Sequence, residues 1–245
     1  MIGIIAAMRE ELAAVGEALR AAGPVHTEWA AGVELEHGQL AGREVVLARS
    51  GIGKVAAATT AALLCERVEA LVMVGTAGGL GADVRPGDVV VATAALQHDV
   101  DARPLWPRRV LPGLGLERIP TDPALTAVLF AAAERVCAGH RADLAALGLG
   151  SPSVHQGLVV SGDVFVSTSE GSGRLRDELP DALAVEMEGA AVAQVCHVAG
   201  VPFGLVRTIS DRADADAHLD FPVFLRSVAA PYAHDLVVES LRGLD

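Results

Sequence analysis

The sequence predicts an α/β fold built on a mostly parallel or mixed sheet. Two observations carry this. Short β-branched runs alternate with Ala-rich segments along the whole length, the signature of strands and crossover helices. Apolar residues make up 51% of 245 positions and charged residues 20%, enough to bury a large core in one domain of this length. No linker-like stretch splits the chain, so residues 1–245 are expected to form one unit.

Each element follows from its pattern. Ile2–Ala6 is a buried strand, and Glu10–Ala22 a helix with Leu12, Val15, Ala18 and Leu19 at helical spacing. Val33–Gln39 alternates as a half-exposed strand does, and Glu44–Ala48 is another strand. Ser50-Gly51-Ile52-Gly53 breaks the chain before an Ala-rich helix, Lys54–Cys65. Ala70–Val74 is a buried strand ended by Gly75-Thr76-Ala77-Gly78-Gly79, and Asp88–Thr93 is a strand. Pro123–Ala146 is helical, with Asp122 suited to the N-cap and Pro123 to the first turn. Strands Gly157–Val160 and Ala182–Val185 precede a helix over Glu188–Val198. Strand Phe203–Ile209 leads through a polar loop into helical Pro222–Arg242, which Pro231 should kink or split. Asp99 to Pro123, with five prolines and Arg103, Arg108 and Arg109, is an irregular loop suited to function or an interface.

Composition also excludes functions. With 19 basic and 31 acidic residues the net charge is −12, which argues against a nucleic-acid partner. Mean hydropathy is +0.41, yet no window of about 18 apolar residues would span a membrane, and the N-terminus lacks the basic region of a signal peptide. Cys65, Cys137 and Cys196 are too few and too scattered for a disulfide framework or a zinc site. A cytoplasmic setting is expected.

In α/β sheets, ligands gather beyond the carboxyl ends of strands. Five segments there carry unusual residues: Met8 with Glu10 and Glu11; Thr76 to Gly79; Ser161 to Val166; Val185 to Gly189; and Ser210-Asp211. Each has a plain structural explanation. Acids in a first helical turn complement the macrodipole, and Ser-Asp or Gly-rich stretches make turns. Neither the GxGxxG nor the P-loop spacing is present. His98, His155, His197 and His218 stand singly, so no metal is expected. Together, though, Glu11, Glu188 and Asp211 are what acid–base chemistry on a neutral substrate needs: one acid to activate water, one of raised pKa to donate a proton, one to bind hydroxyls.

The same segments resemble the 5′-methylthioadenosine/S-adenosylhomocysteine nucleosidases of the purine nucleoside phosphorylase superfamily. The matches are Gly3 to Glu11, Ser50 to Ala57, Thr76 to Leu80, Pro86 to Val91, Val160 to Val166, Ala184 to Ala190 and Val206 to Asp214, in the family's order. The resemblance implies a single-domain three-layer α/β/α sandwich around a twisted mixed sheet, a homodimer, and neither cofactor nor metal. It implies hydrolysis of an adenine N-ribosidic bond. Asp211 would protonate purine N7, Glu11 would activate water, and Glu188 would accept the ribose hydroxyls with Met187 packed on the sugar. Phe165 would stack on the purine and the Val166 backbone would bind its Watson–Crick edge. Met8, Ile52, Thr76, Gly78, Glu186, Arg207 and Ser210 match substrate-binding positions. Thr76 stands where the motif usually has Ser. The stretch at Arg103, Arg108 and Arg109 diverges most: it either favours a carboxylate-bearing 5′ group or is a solvated loop. Three functions stay open: this nucleosidase or a 6-amino-6-deoxyfutalosine hydrolase, a phosphorylase, and a non-catalytic nucleoside receptor.

Overall fold

Hydrophobic alternation sorts the central strands onto two faces. In β1 (Ile2–Ala6), Ile2, Ile4 and Ala6 face one apolar cluster while Ile5 faces another, as side chains of period two must. The computed structural model describes residues 1–213 and 221–244. Asp214 and His218 lie outside them.

Among the described residues, eleven strands form one mixed sheet in the order β2-β3-β4-β1-β5-β11-β6-β10-β9-β7-β8. The others are β2 (His26–Ala30), β3 (Val33–Leu40), β4 (Arg43–Arg49), β5 (Ala70–Met73), β6 (Thr76–Gly79), β7 (Val89–Gln97), β8 (Ile119–Pro120), β9 (Val154–Ser161), β10 (Ala182–Glu186) and β11 (Phe203–Asp211). β11 pairs along its length with β5, then antiparallel with β7, then with β6. Because β6, β10, β9 and β7 are also paired in sequence, β11 closes them into a five-stranded ring beside the open half of the sheet.

Helices cover both faces, as the α/β/α expectation requires. α1 (Arg9–Ala22), α3 (Pro123–Gly139) and a C-terminal helix pack on the face of Ile4, Leu47 and Val206. α2 (Lys54–Cys65) and α6 (Gly189–Ala199) pack on the face of Ile5, Met73 and Leu205. α4 (Arg141–Ala146) and α5 (Ser169–Glu178) are shorter.

Asp122 caps α3 as expected, its carboxylate accepting the Leu125 N–H at 2.8 Å. The predicted 123–146 helix is interrupted at His140, whose backbone leaves the helical region. The closing helix is also divided as Pro231 implies. α7 (Phe221–Phe224) passes through a π-turn, Leu225–Ala229, into α8 (Ala230–Gly243). The Ala230 N–H bonds five residues back to the Leu225 carbonyl, a register that precedes the missing N–H of Pro231. Ile119–Pro120, in the stretch expected as an irregular loop, pairs with β7, and three further elements differ from expectation. His26–Ala30 is an edge strand with little apolar content; Thr76–Gly79 is a strand rather than a break; and Ser169–Glu178 is a helix capped by Thr168.

Candidate active site

The carboxyl ends of β1, β10 and β11 open on one side of the sheet, and a cleft lies over them. Its lining includes Met8, Glu11, Ile52, Thr76, Gly78, Phe165, Val166, Glu186, Met187, Glu188, Ser210 and Asp211. Twelve of the thirteen residues singled out in the sequence thus share one hollow. Ala7, Ala77, Val164, Val185 and Phe221 complete the lining. They are small or apolar residues whose types give no signal in a sequence.

Arg207 is the exception. It is 1% exposed and lies behind the wall rather than in it. Its guanidinium donates to the Val74 carbonyl at 3.0 Å, to the Glu186 carboxylate, and lies 3.6 Å from the Glu188 carboxylate. It passes under Gly75, where a Cβ would come within 2.1 Å of Nη1 and 2.9 Å of a Glu11 oxygen. Only glycine leaves free the space beside this backbone that the cation and the carboxylate both occupy.

Glu11 enters through α1. As the third helical residue it reaches back to accept the Met8 N–H at 3.0 Å, the acidic half of a capping box. Its other oxygen accepts the Thr76 N–H at 2.8 Å and the Thr76 hydroxyl at 3.0 Å. Glu11 is buried and lines the cleft, whereas neighbouring Glu10 is exposed and does not. A helix-capping acid and a cleft acid are here the same side chain.

Asp211 is set by a bulge. Ile209 pairs with Ala77 and Asp211 with Gly78, leaving Ser210 as the extra residue in β11; such insertions re-aim side chains at the ends of strands. The Asp211 carboxylate accepts the Ser210 hydroxyl at 2.6 Å and the Ala213 N–H at 2.7 Å. A Cβ on Gly78 would fall 3.1 Å from its Oδ1, so glycine opposite the bulge makes room for the acid.

The two acids of Glu186-Met187-Glu188 differ in their surroundings. Glu186 accepts the Ser161 hydroxyl, the Arg207 guanidinium, the Glu188 N–H at 3.1 Å and the Gly189 N–H at 2.8 Å. Glu188 accepts the Gly53 N–H at 2.8 Å. Burial, then the negative charge of Glu186, pushes the Glu188 carboxyl up to about 7, while Arg207 and the Gly53 N–H pull the other way.

The two walls over the cleft are stitched together. Asp163 accepts the Lys54 N–H at 2.8 Å, and Asp99 accepts both the Lys54 ammonium at 2.6 Å and the Asp163 N–H at 2.9 Å. Lys54, Asp99 and Asp163 thus fix the Ile52 loop to the Val164–Val166 segment. Nothing in the spacing of these three residues along the sequence marks them as a clasp.

None of the loop arginines lines this chain's cleft. Arg103 pairs with Asp101, and Arg108 and Arg109 pair with Glu178. Among the described residues no group of three His, Cys, Asp or Glu could hold a metal ion, and no helix is long and apolar enough to cross a membrane.

A twisted mixed sheet with acids gathered over its strand ends defines a recognisable class. The sequence model of the phosphorylase superfamily matches residues 1–242, and the chain belongs to that superfamily. Within it, the similarity extends to particular enzymes. A 5′-methylthioadenosine/S-adenosylhomocysteine nucleosidase from Neisseria meningitidis, in complex with methylthio-immucillin-A, is 35% identical over 99% of both chains, with a TM-score of 0.85. One from Colwellia psychrerythraea, in complex with adenine, is 33% identical over 99% of this chain and 95% of its own, with a TM-score of 0.88. The futalosine hydrolase of Helicobacter pylori is 31% identical over 99% of this chain and 97% of its own, with a TM-score of 0.83.

Proposed function

We propose that this N-glycosyl hydrolase cleaves the N-ribosidic bond of 5′-methylthioadenosine and S-adenosylhomocysteine, releasing adenine and a 5-thio-ribose sugar. The observation that supports it best is the convergence of Glu11, Glu188 and Asp211 on one cleft whose rim carries Phe165.

Adenine leaves poorly as an anion, so a proton must reach N7 as the bond lengthens. Asp211 is the proposed donor. The ribosyl fragment develops positive charge, which the carboxylates beside it stabilise. Glu11, with three donors on its two oxygens, retains room to accept a proton from water, which adds at the anomeric carbon. Glu188 takes the sugar hydroxyls and Met187 packs on the ring. Phe165 stacks on the purine, a contact worth about 1–3 kcal/mol, and the Val166 backbone binds its edge.

A phosphorylase is disfavoured. Among the described residues lining the cleft there is no Lys, Arg or His, and Arg207 is committed to Glu186. A phosphate dianion would enter against carboxylates with no free cation to hold it. A receptor without catalysis leaves the three converging acids unexplained. The likeness to a futalosine hydrolase favours 6-amino-6-deoxyfutalosine as the alternative substrate.

The test is adenine release from each of the three nucleosides by the purified protein, with and without phosphate. Release without phosphate is expected; strict phosphate dependence overturns the reading. Asp211→Asn is expected to bind nucleoside while turnover falls by about 10²–10⁴-fold, the usual worth of a positioned acid. Retained turnover in that variant would reject the donor role. We further propose that the enzyme works as a homodimer in the cytoplasm, without metal or cofactor.

A further inference from the structure

We propose that Glu186, at a position matched to substrate binding, is instead a positioning residue that holds Arg207 off Glu188 and so keeps Glu188 open to the sugar. This deepens the nucleosidase reading and rests on it for the identity of the sugar.

A carboxylate offers about four lone-pair sites. Glu186 fills them with four donors from three directions: the Ser161 hydroxyl at the end of β9, Arg207 of β11, and the Glu188 and Gly189 N–H groups at the start of α6. No site remains for a ribose hydroxyl, although the side chain borders the cleft. The Ser161 hydroxyl in turn accepts the Ala190 N–H at 2.8 Å, so the network pins the first turn of α6 from two sides. Glu188, two residues on, accepts one N–H, from Gly53, and stands 3.6 Å from the Arg207 guanidinium, beyond hydrogen-bond range.

Arg207 is the one buried cation facing this group among the described residues, and Glu186, Glu188 and Glu11 all act on it. Its Nη2 goes to Glu186. Without that anion it would turn to Glu188, the next carboxylate, and occupy the oxygen that the sugar needs. The groups facing Glu188 are Glu186 from β10, Arg207 from β11, Glu11 from α1 and the Gly53 N–H before α2. Removing the charge of Glu186 therefore takes away a repulsion and releases an attraction. Both favour ionised Glu188.

The experiment follows the Glu188 carboxyl by ¹³C NMR in substrate-free protein carrying labelled glutamate, with Glu188→Gln to assign the signal. In Glu186→Gln the titration midpoint is expected to move down by at least one pH unit. Glu186→Asp keeps the charge but withdraws it by one methylene, and a drop of at least half a unit is expected; this milder variant serves if the first fails to fold. An unmoved midpoint in a folded variant overturns the proposal. Because the readout needs no substrate, it stands apart from adenine release by the unaltered protein, whose failure would overturn only the functional reading.

Discussion

Glu186 and Glu188 show how little of a residue's role its type and spacing reveal. Both are acids at a strand end, and only the family resemblance, not their type or spacing, separates them. Their difference lies in donors brought from β9, β11 and the loop before α2, which no local pattern displays. The elevated Glu188 carboxyl has a measurable consequence. Its native pKa, about 7, lies above the ordinary value of 4.5, so between those limits the folded state binds more protons than the unfolded one. The sign follows: this group lowers stability as pH rises through that window, and the penalty is complete above pH 7. Glu188→Gln removes the titration. Relative to the unaltered protein, the variant is expected to gain on the order of 2–3 kcal/mol between pH 5 and pH 8, read as the pH dependence of the difference between two denaturation curves. A difference that stays flat with pH would contradict the burial of a protonatable Glu188.

Among the elements, the strongly patterned ones were legible and the tertiary ones were not. Lys54–Cys65 begins and ends as its Ala-rich run implies, and Ile2–Ala6 is unbroken apolar sequence in a buried parallel strand. His26–Ala30 has the sequence HTEWA, with no apolar face to mark it; it is a strand because β3 offers an edge. Thr76–Gly79 looks like a turn by composition, yet β10 and β11 pair with it on either side, and glycines suit it because Asp211 and Ala213 press against Gly78. Most of the site residues were readable because they sit in the motifs that carry the family resemblance. The placement of Arg207 behind the wall was not, since a strand pattern alone does not say which face borders a cavity. Asp122 belongs to the legible class, and its worth can be measured. Asp122→Ala is expected to cost about 1 kcal/mol of stability by loss of the α3 N-cap, seen as a lowered denaturation midpoint with an unchanged slope. No loss would mean that another group satisfies the Leu125 N–H.

For the whole molecule, the outer surface of α2 and α6 carries apolar side chains left without cover. Val55 is 80% exposed and Val198 68%, and a groove between the two helices is lined by Ala58, Ala62, Val195 and Ala199. The exposed Ile52 and Phe165 at the cleft rim continue this character towards the site. Apolar surface of this kind, here edged by Lys54, Glu66 and Gln194, is covered in oligomers by a symmetric copy. Light scattering is expected to give twice the 25.2 kDa chain mass at micromolar concentration, and Val55→Glu with Val198→Glu is expected to shift the protein towards monomer. A monomeric unaltered protein would remove the dimer from the functional reading.

β11 belongs to the open half of the sheet and to the closed ring at once, and its far end carries Arg207, Ser210 and Asp211. A strand hydrogen-bonded in turn to three partners is a poor hinge. Access to the cleft is therefore set by the parts that hang over it: the Ile52 turn, the Val164–Val166 arm and the start of the closing helix at Phe221. Asp211 thus sits on a strand held by three neighbours, beneath an entrance built from turns and a helix start.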